Sequence, residues 1–276
     1  MIRLVLLAAV CVLGANSLTG CTAEQQCLGT ATPRCLPNPG GVPCTLDYGF
    51  NTTGLCACGT ESCVALTGEN TTSLRQLLVI GDSISLGYIG SLQKALAGEW
   101  EVVHAPSFSG SNNNNDNANW GNMCVKGWLG PNPDRWDAIS VNHGAHDYAF
   151  PDNEHIDVGT YPVLLEGEFE QLRSLAPRAV LVWETITPVP TNPPANCTLI
   201  PGRLESNVLA YNAAAAGAVQ KTPGMVTCDL HQVITDFCGV GYSTCSITQC
   251  GGPHFSPLGF AMLGNASAAC VRAATL

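Results

Sequence analysis

Between residues 74 and 230 the chain alternates short, mostly apolar runs with segments of helical period, and nothing else in it narrows the possible folds so far. The runs 77–80, 101–104, 136–142, 179–184 and 225–230 read as strands, and 89–96, 161–175 and 204–220 read as helices between them. Strands without regular polar alternation bury both faces, as happens in parallel sheets whose helical crossovers cover each side. The expected architecture is α/β, a three-layer α/β/α sandwich around a parallel central sheet. In such sheets the ligand crevice opens at the carboxyl ends of the strands. The residues that follow each strand are therefore the place to look for chemistry.

The first 73 residues follow different rules. Arg3 precedes an apolar run over 4–13 and then small residues, the build of a secretory signal (1–20) too short for a stable membrane anchor. No later segment is apolar for as long, so no membrane span is expected. Residues 21–66 carry Cys21, Cys27, Cys35, Cys44, Cys56, Cys58 and Cys63 among Pro, Gly and Thr, with almost no apolar periodicity. Such a segment cannot bury a core without covalent staples. It reads as a small disulfide module, a candidate for docking on a glycan or cell surface, joined by a Thr-rich linker (67–73) to a domain over 74–276. The closest pair, Cys56-Ala57-Cys58, lacks the C-x2-C spacing of structural zinc sites.

Of the 15 cysteines, Cys11 lies in the signal, and the remainder is an even number that can pair completely in an oxidising compartment. Leu18-Thr19-Gly20-Cys21 resembles a bacterial lipoprotein box, but a lipid on Cys21 would leave an odd thiol. Sequons at Asn51, Asn70, Asn196 and Asn265 fit a secreted, glycosylated chain. Only 12% of residues are charged and the net charge is -10, without the clustered Lys and Arg that a nucleic-acid partner requires.

Directly after the first strand comes Gly81-Asp82-Ser83-Ile84-Ser85-Leu86-Gly87. By itself this is a capped turn, with Asp82 or Ser83 as the cap. It also puts Ser83 on a helix start, where unpaired backbone N–H groups and the dipole favour an anion, so the Ser83 N–H can help to hold an oxyanion. Asn142-His143-Gly144-Ala145-His146-Asp147 follows the third strand, and His254-Phe255-Ser256-Pro257-Leu258-Gly259-Phe260 lies far downstream, at what reads as the start of the last helix.

In order and position these three stretches resemble the SGNH (GDSL-type) hydrolases, over about residues 74–276. The resemblance implies acyl transfer on esters, without metal or cofactor. Ser83 would be the nucleophile and His254 the general base. The oxyanion hole would be formed by Ser83, Gly110 (with Gly121 as fallback) and the side chain after the third strand. Short-chain esters or carbohydrate O-acetyl esters are the implied substrates.

Two departures from the family pattern stand out. Its Gly-x-Asn-Asp appears as Gly144-Ala145-His146-Asp147, so an imidazole N–H takes the place of an amide, with Asn142 as an alternative donor. A branch of the family is similar in carrying a His here beside T-x-T-P-V, present as Thr185-Ile186-Thr187-Pro188-Val189. The Asp that members place shortly before the histidine is also missing, because 251 and 252 are both Gly. A backbone carbonyl could fix the His254 tautomer without supplying charge, which makes a Ser-His dyad the expected form; Asp236 is the nearest upstream carboxylate.

Two further readings stay open. One is a secreted binding protein that keeps the fold without turnover. The other is a metal-dependent hydrolase using His143, His146 and Asp147, with Asp152 and His155 nearby. A nucleophile-elbow α/β-hydrolase is disfavoured, since no Gly-x-Ser-x-Gly occurs. His104 and His231 read as structural strand-end residues, and Trp120, Trp128, Trp136 and Trp183 as core and crevice walls.

Overall fold

A computed structural model describes residues 73–106, 114–149, 155–197, 202–249 and 252–276, together with the backbone of 43–47 and 53–57. In the cysteine-rich segment β1 (Pro43–Asp47) and β2 (Thr53–Ala57) pair antiparallel, with Cys44 opposite Cys56 in the register. The signal, Gly110, Asp152, Gly251 and the remainder of the module lie outside the described residues.

The domain runs β3 (Arg75–Gly81), α1 (Ser83–Ala95), β4 (Trp100–His104), α2 (Ala118–Leu129), β5 (Ala138–Asn142), α3 (Tyr161–Leu175), β6 (Val180–Glu184), α4 (Glu205–Lys221), β7 (Val226–Cys228), α5 (Leu230–Cys238) and α6 (Pro257–Ala274). Its five strands are all parallel, in the order β4-β3-β5-β6-β7. Helices α1, α5 and α6 pack together, as do α2, α3 and α4, giving the expected layers of helices around the sheet. The sheet is buried as its composition requires: Leu77, Leu78, Val79, Ile80, Ile139, Val141 and Leu181 have no solvent exposure. All four tryptophans singled out above are buried too.

Strand and helix positions follow the expected pattern, with α1 beginning six residues earlier than 89–96 suggested. Two helices were not anticipated. α2 contains Gly121 and Gly127, poor helix formers, and α5 follows directly on β7 and ends at Cys238, where the Cys238–Cys245 loop begins. Gly121 has a packing reason: a Cβ there would come within 2.4 Å of Glu168 Oε2 and 2.7 Å of His143 Nε2. Asn117 caps α2 by accepting from the Asn119 and Trp120 N–H groups.

Disulfides tie the half of the domain after β6. Cys228–Cys270 joins β7 to α6 and Cys238–Cys245 closes the loop after α5. Cys124 and Cys197 are also disulfide-bonded. Beneath the sheet, Glu184 at the end of β6 is fully buried and accepts hydrogen bonds from Tyr88 on α1 and from Ser267 on α6 (2.5 Å). Burial raises its pKa, and these two donors oppose that rise. Asn265, a sequon asparagine, is exposed on α6. Among the described residues no helix is long and apolar enough to cross a membrane.

Candidate active site

The strand order reverses between β3 and β5, the point where crevices form in open α/β sheets. Gly81 and Asn142 are partners in the parallel register. The chain therefore leaves the two strands side by side, into the Asp82-Ser83 turn on one and the 143–147 turn on the other.

At the first turn Asp82 is the N-cap of α1, its carboxylate accepting from the Ile84 N–H at 2.8 Å. This makes Ser83 the first helical residue, half-buried at the carboxyl end of the sheet. Ser83 Oγ lies 2.9 Å from His254 Nε2 although 171 residues separate them. His254 is held by a short antiparallel bridge between Thr248 and Phe255, in which the Gln249 N–H donates to the His254 carbonyl at 2.9 Å and the Ser256 N–H to the Ile247 carbonyl at 2.8 Å. Phe255 is buried and stacks edge-on against Phe260. Ser256 then caps α6, with Pro257 in its first turn. The histidine thus stands on a braced turn at a helix entry rather than on a free loop.

Among the described residues no hydrogen bond or ion pair links His254 to a carboxylate. Asp236, the upstream candidate, is exposed on α5 and accepts from Gln232. Desolvation lowers the His254 pKa, Asp82 opposes that shift, and Arg203 and His146 add to it. The negative charge that favours a protonated His254 is thus the residue directly before Ser83.

The second turn is built differently. Gly144 has φ +138°, and a Cβ there would sit 2.2 Å from Ile186 Cδ1, so the glycine is required on both counts. His146 is half-buried, with Nε2 3.9 Å from Asp116 Oδ1. Behind it the charges are buried. Asp147 accepts from the Ala118 N–H at the start of α2 (3.0 and 3.3 Å). Burial raises its pKa to about 7, against the pull of His143 and of that N–H. His143 lies 3.4 Å from Glu168, both without exposure. Desolvation would lower the His143 pKa, but Glu168, together with Asp147 and the Asp116 carbonyl, outweighs it and raises the imidazole to about 9.

Several expected alternatives are committed elsewhere. The Asn142 amide donates to the carbonyls of Glu184 and Thr185, and the Gly121 N–H donates to the Asn117 carbonyl inside α2. Among the described residues no three His, Cys, Asp or Glu side chains are grouped to hold a metal ion. His231, expected at a strand end, lies instead in the first turn of α5, where it pairs with Glu205 at the start of α4 at 2.7 Å.

Sequence reasoning missed Asn115, the end of an Asn run that reads as loop. It is fully buried and holds Gly81 twice, N–H to carbonyl (3.0 Å) and side-chain oxygen to N–H (2.9 Å). It also missed Arg203, which donates to the Ala145 carbonyl. Neither contact has a local sequence signal.

No protein-family model and no curated protein sequence matches the chain. Among solved structures, an acetylxylan esterase (Axe2) from Geobacillus stearothermophilus is similar, with a TM-score of 0.55 at 15% identity over 73% of this chain and 94% of that one. A carbohydrate esterase family 3 protein from Talaromyces cellulolyticus is similar with a TM-score of 0.52 at 15% identity, over 72% and 97% respectively. The likeness is one of fold. Structures of Axe2 with a catalytic serine or a catalytic histidine changed to alanine are matched as well.

Proposed function

We propose that the protein is a secreted serine esterase acting on short-chain acyl or carbohydrate O-acetyl esters. The reading rests on the 2.9 Å approach of Ser83 Oγ to His254 Nε2 at the carboxyl end of the sheet. The similar fold of the acetylxylan esterase, whose catalytic mutants are at a serine and a histidine, supports it.

In this mechanism Ser83 Oγ attacks the acyl carbonyl carbon while His254 Nε2 takes the hydroxyl proton. The tetrahedral oxyanion is held by the Ser83 N–H at the start of α1, by the expected N–H of Gly110, and by the His146 imidazole. His254 returns the proton to the leaving alkoxide, which departs as alcohol. A water, deprotonated by the same histidine, then releases the acid. The pair is a dyad: Asp82 stabilises the imidazolium through space, and the lowered His254 pKa keeps the base neutral and ready.

The test is turnover of p-nitrophenyl acetate by the oxidised protein, with Ser83→Ala and His254→Ala beside it. Equal rates in all three would sink the assignment and favour the binding-protein alternative. Loss of activity on adding EDTA would favour the metal alternative.

A further inference from the structure

The Ser83 N–H is attached to the same peptide unit as the Asp82 carbonyl. A trans peptide is planar and its C=O and N–H point in opposite directions, so whatever holds the Asp82 oxygen also aims the Ser83 N–H. Two groups hold it: the Leu86 N–H at 3.1 Å, as any helix would provide, and the Ser85 hydroxyl at 2.7 Å. Ser85 is fully buried on α1. Its Oγ is also 2.7 Å from Nε2 of His104, at the end of the neighbouring strand β4. The other nitrogen of that ring, Nδ1, lies 2.8 Å from the Ala105 carbonyl.

Counting protons shows what these contacts require. The Ala105 oxygen can only accept, so Nδ1 carries a hydrogen. The Asp82 oxygen can only accept as well, so Ser85 donates to it. Ser85 has one proton, and a neutral His104 presents a lone pair at Nε2 that competes for it. All three contacts are satisfied at once only when Nε2 is a donor too. Desolvation works against that and lowers the His104 pKa to about 4. The titratable groups facing the ring are Asp82, which favours the proton, and His143, which opposes it.

We propose that Ser85 is a positioning residue for the oxyanion hole, its hydroxyl fixing the Asp82–Ser83 peptide plane from behind and His104 setting which way that hydroxyl points. The proposal rests on the esterase reading of Ser83. It adds a function to a serine that resembles an ordinary helix residue. A donor on the carbonyl also polarises the amide and strengthens its N–H as a hydrogen-bond donor.

The experiment measures kcat and KM for p-nitrophenyl acetate on the oxidised full chain, per folded molecule as judged by circular dichroism. Ser85→Ala should lower kcat about tenfold, a fraction of the 10²–10³ that loss of a whole oxyanion donor costs, with KM changed less than about twofold. Ser85→Cys, which keeps the size but offers only a weak S–H donor, should fall between. His104→Gln carries a side-chain N–H where Nε2 stood, so the Ser85 hydroxyl keeps donating to the Asp82 carbonyl, and kcat at neutral pH should rise above wild type. Wild-type kcat in both Ser85 variants would overturn the proposal. A His104→Gln kcat equal to or below wild type would overturn the part given to His104. Failure of the esterase reading itself would look different: the wild-type protein would show no turnover that depends on Ser83.

Discussion

The ends of β3 and β5 are register neighbours, yet they carry opposite kinds of chemistry. At the end of β3 the groups that would react, Ser83 and His254, are half-buried and joined by one short hydrogen bond. At the end of β5 His143 and Asp147 are buried, titrate far from their ordinary values, and are answered by Glu168 and the α2 N-terminus. The difference teaches that perturbed ionisation need not mark the reacting atoms. Here it marks the buried groups behind the turn, and the pair proposed to react is the less perturbed one.

This contrast can be broken from either side. The largest effect belongs to Ser83→Ala: a loss of about 10⁴ or more in kcat, by analogy with triad knockouts, with no fall in melting temperature. Next comes Glu168→Gln, which strands His143 without its counter-charge. Removing one partner of a buried pair costs about 3–5 kcal/mol, and because an imidazole can escape by deprotonating, about 3 is expected. Thermal melts should register that loss while kcat per folded molecule stays near wild type; the reverse pattern would erase the contrast.

His146 belongs to the β5 turn but is only half-buried and is the proposed third oxyanion donor, so His146→Ala tests where the boundary runs. A loss of about 10² in kcat is expected, and His146→Asn, restoring an amide donor, should recover most of it.

The smallest effects are in pH. His254 must be neutral to act and its pKa is lowered from 6.5, so the acid limb of kcat/KM should lie below pH 6.5. His143 works with the opposite sign. Its folded-state pKa is raised, so its contribution to stability is complete below 6.5 and is lost as pH rises towards 9. A melting temperature that declines over that window, and no longer does so in Glu168→Gln, would tie the slope to this pair.

How much of this the sequence reveals depends on the range of the interaction. The strands are legible because burial on both faces leaves a local apolar run, as in Leu77 to Ile80. Ser83 and His254 are legible because their surroundings resemble a family's. α2 is not, because Gly121 is placed by Glu168 and His143 across the packing rather than by its own helix. Asn115 and the pair of Ser85 and His104 are invisible for the same reason: each contact closes between segments that share no local pattern. Gly110 and the pairing in the cysteine-rich module are expectations that lie outside the described residues.

The sequence separation of 171 between Ser83 and His254 also measures time. At about 5–20 residues per second of synthesis, the serine turn is made roughly 10–30 s before the histidine that would activate it. The turn into α6 that seats His254, and the packing of α6 on α1, come later still. If Ser83 is the nucleophile, the nascent chain carries it with no base beside it, and the proposed pair is completed only when α6 docks on α1.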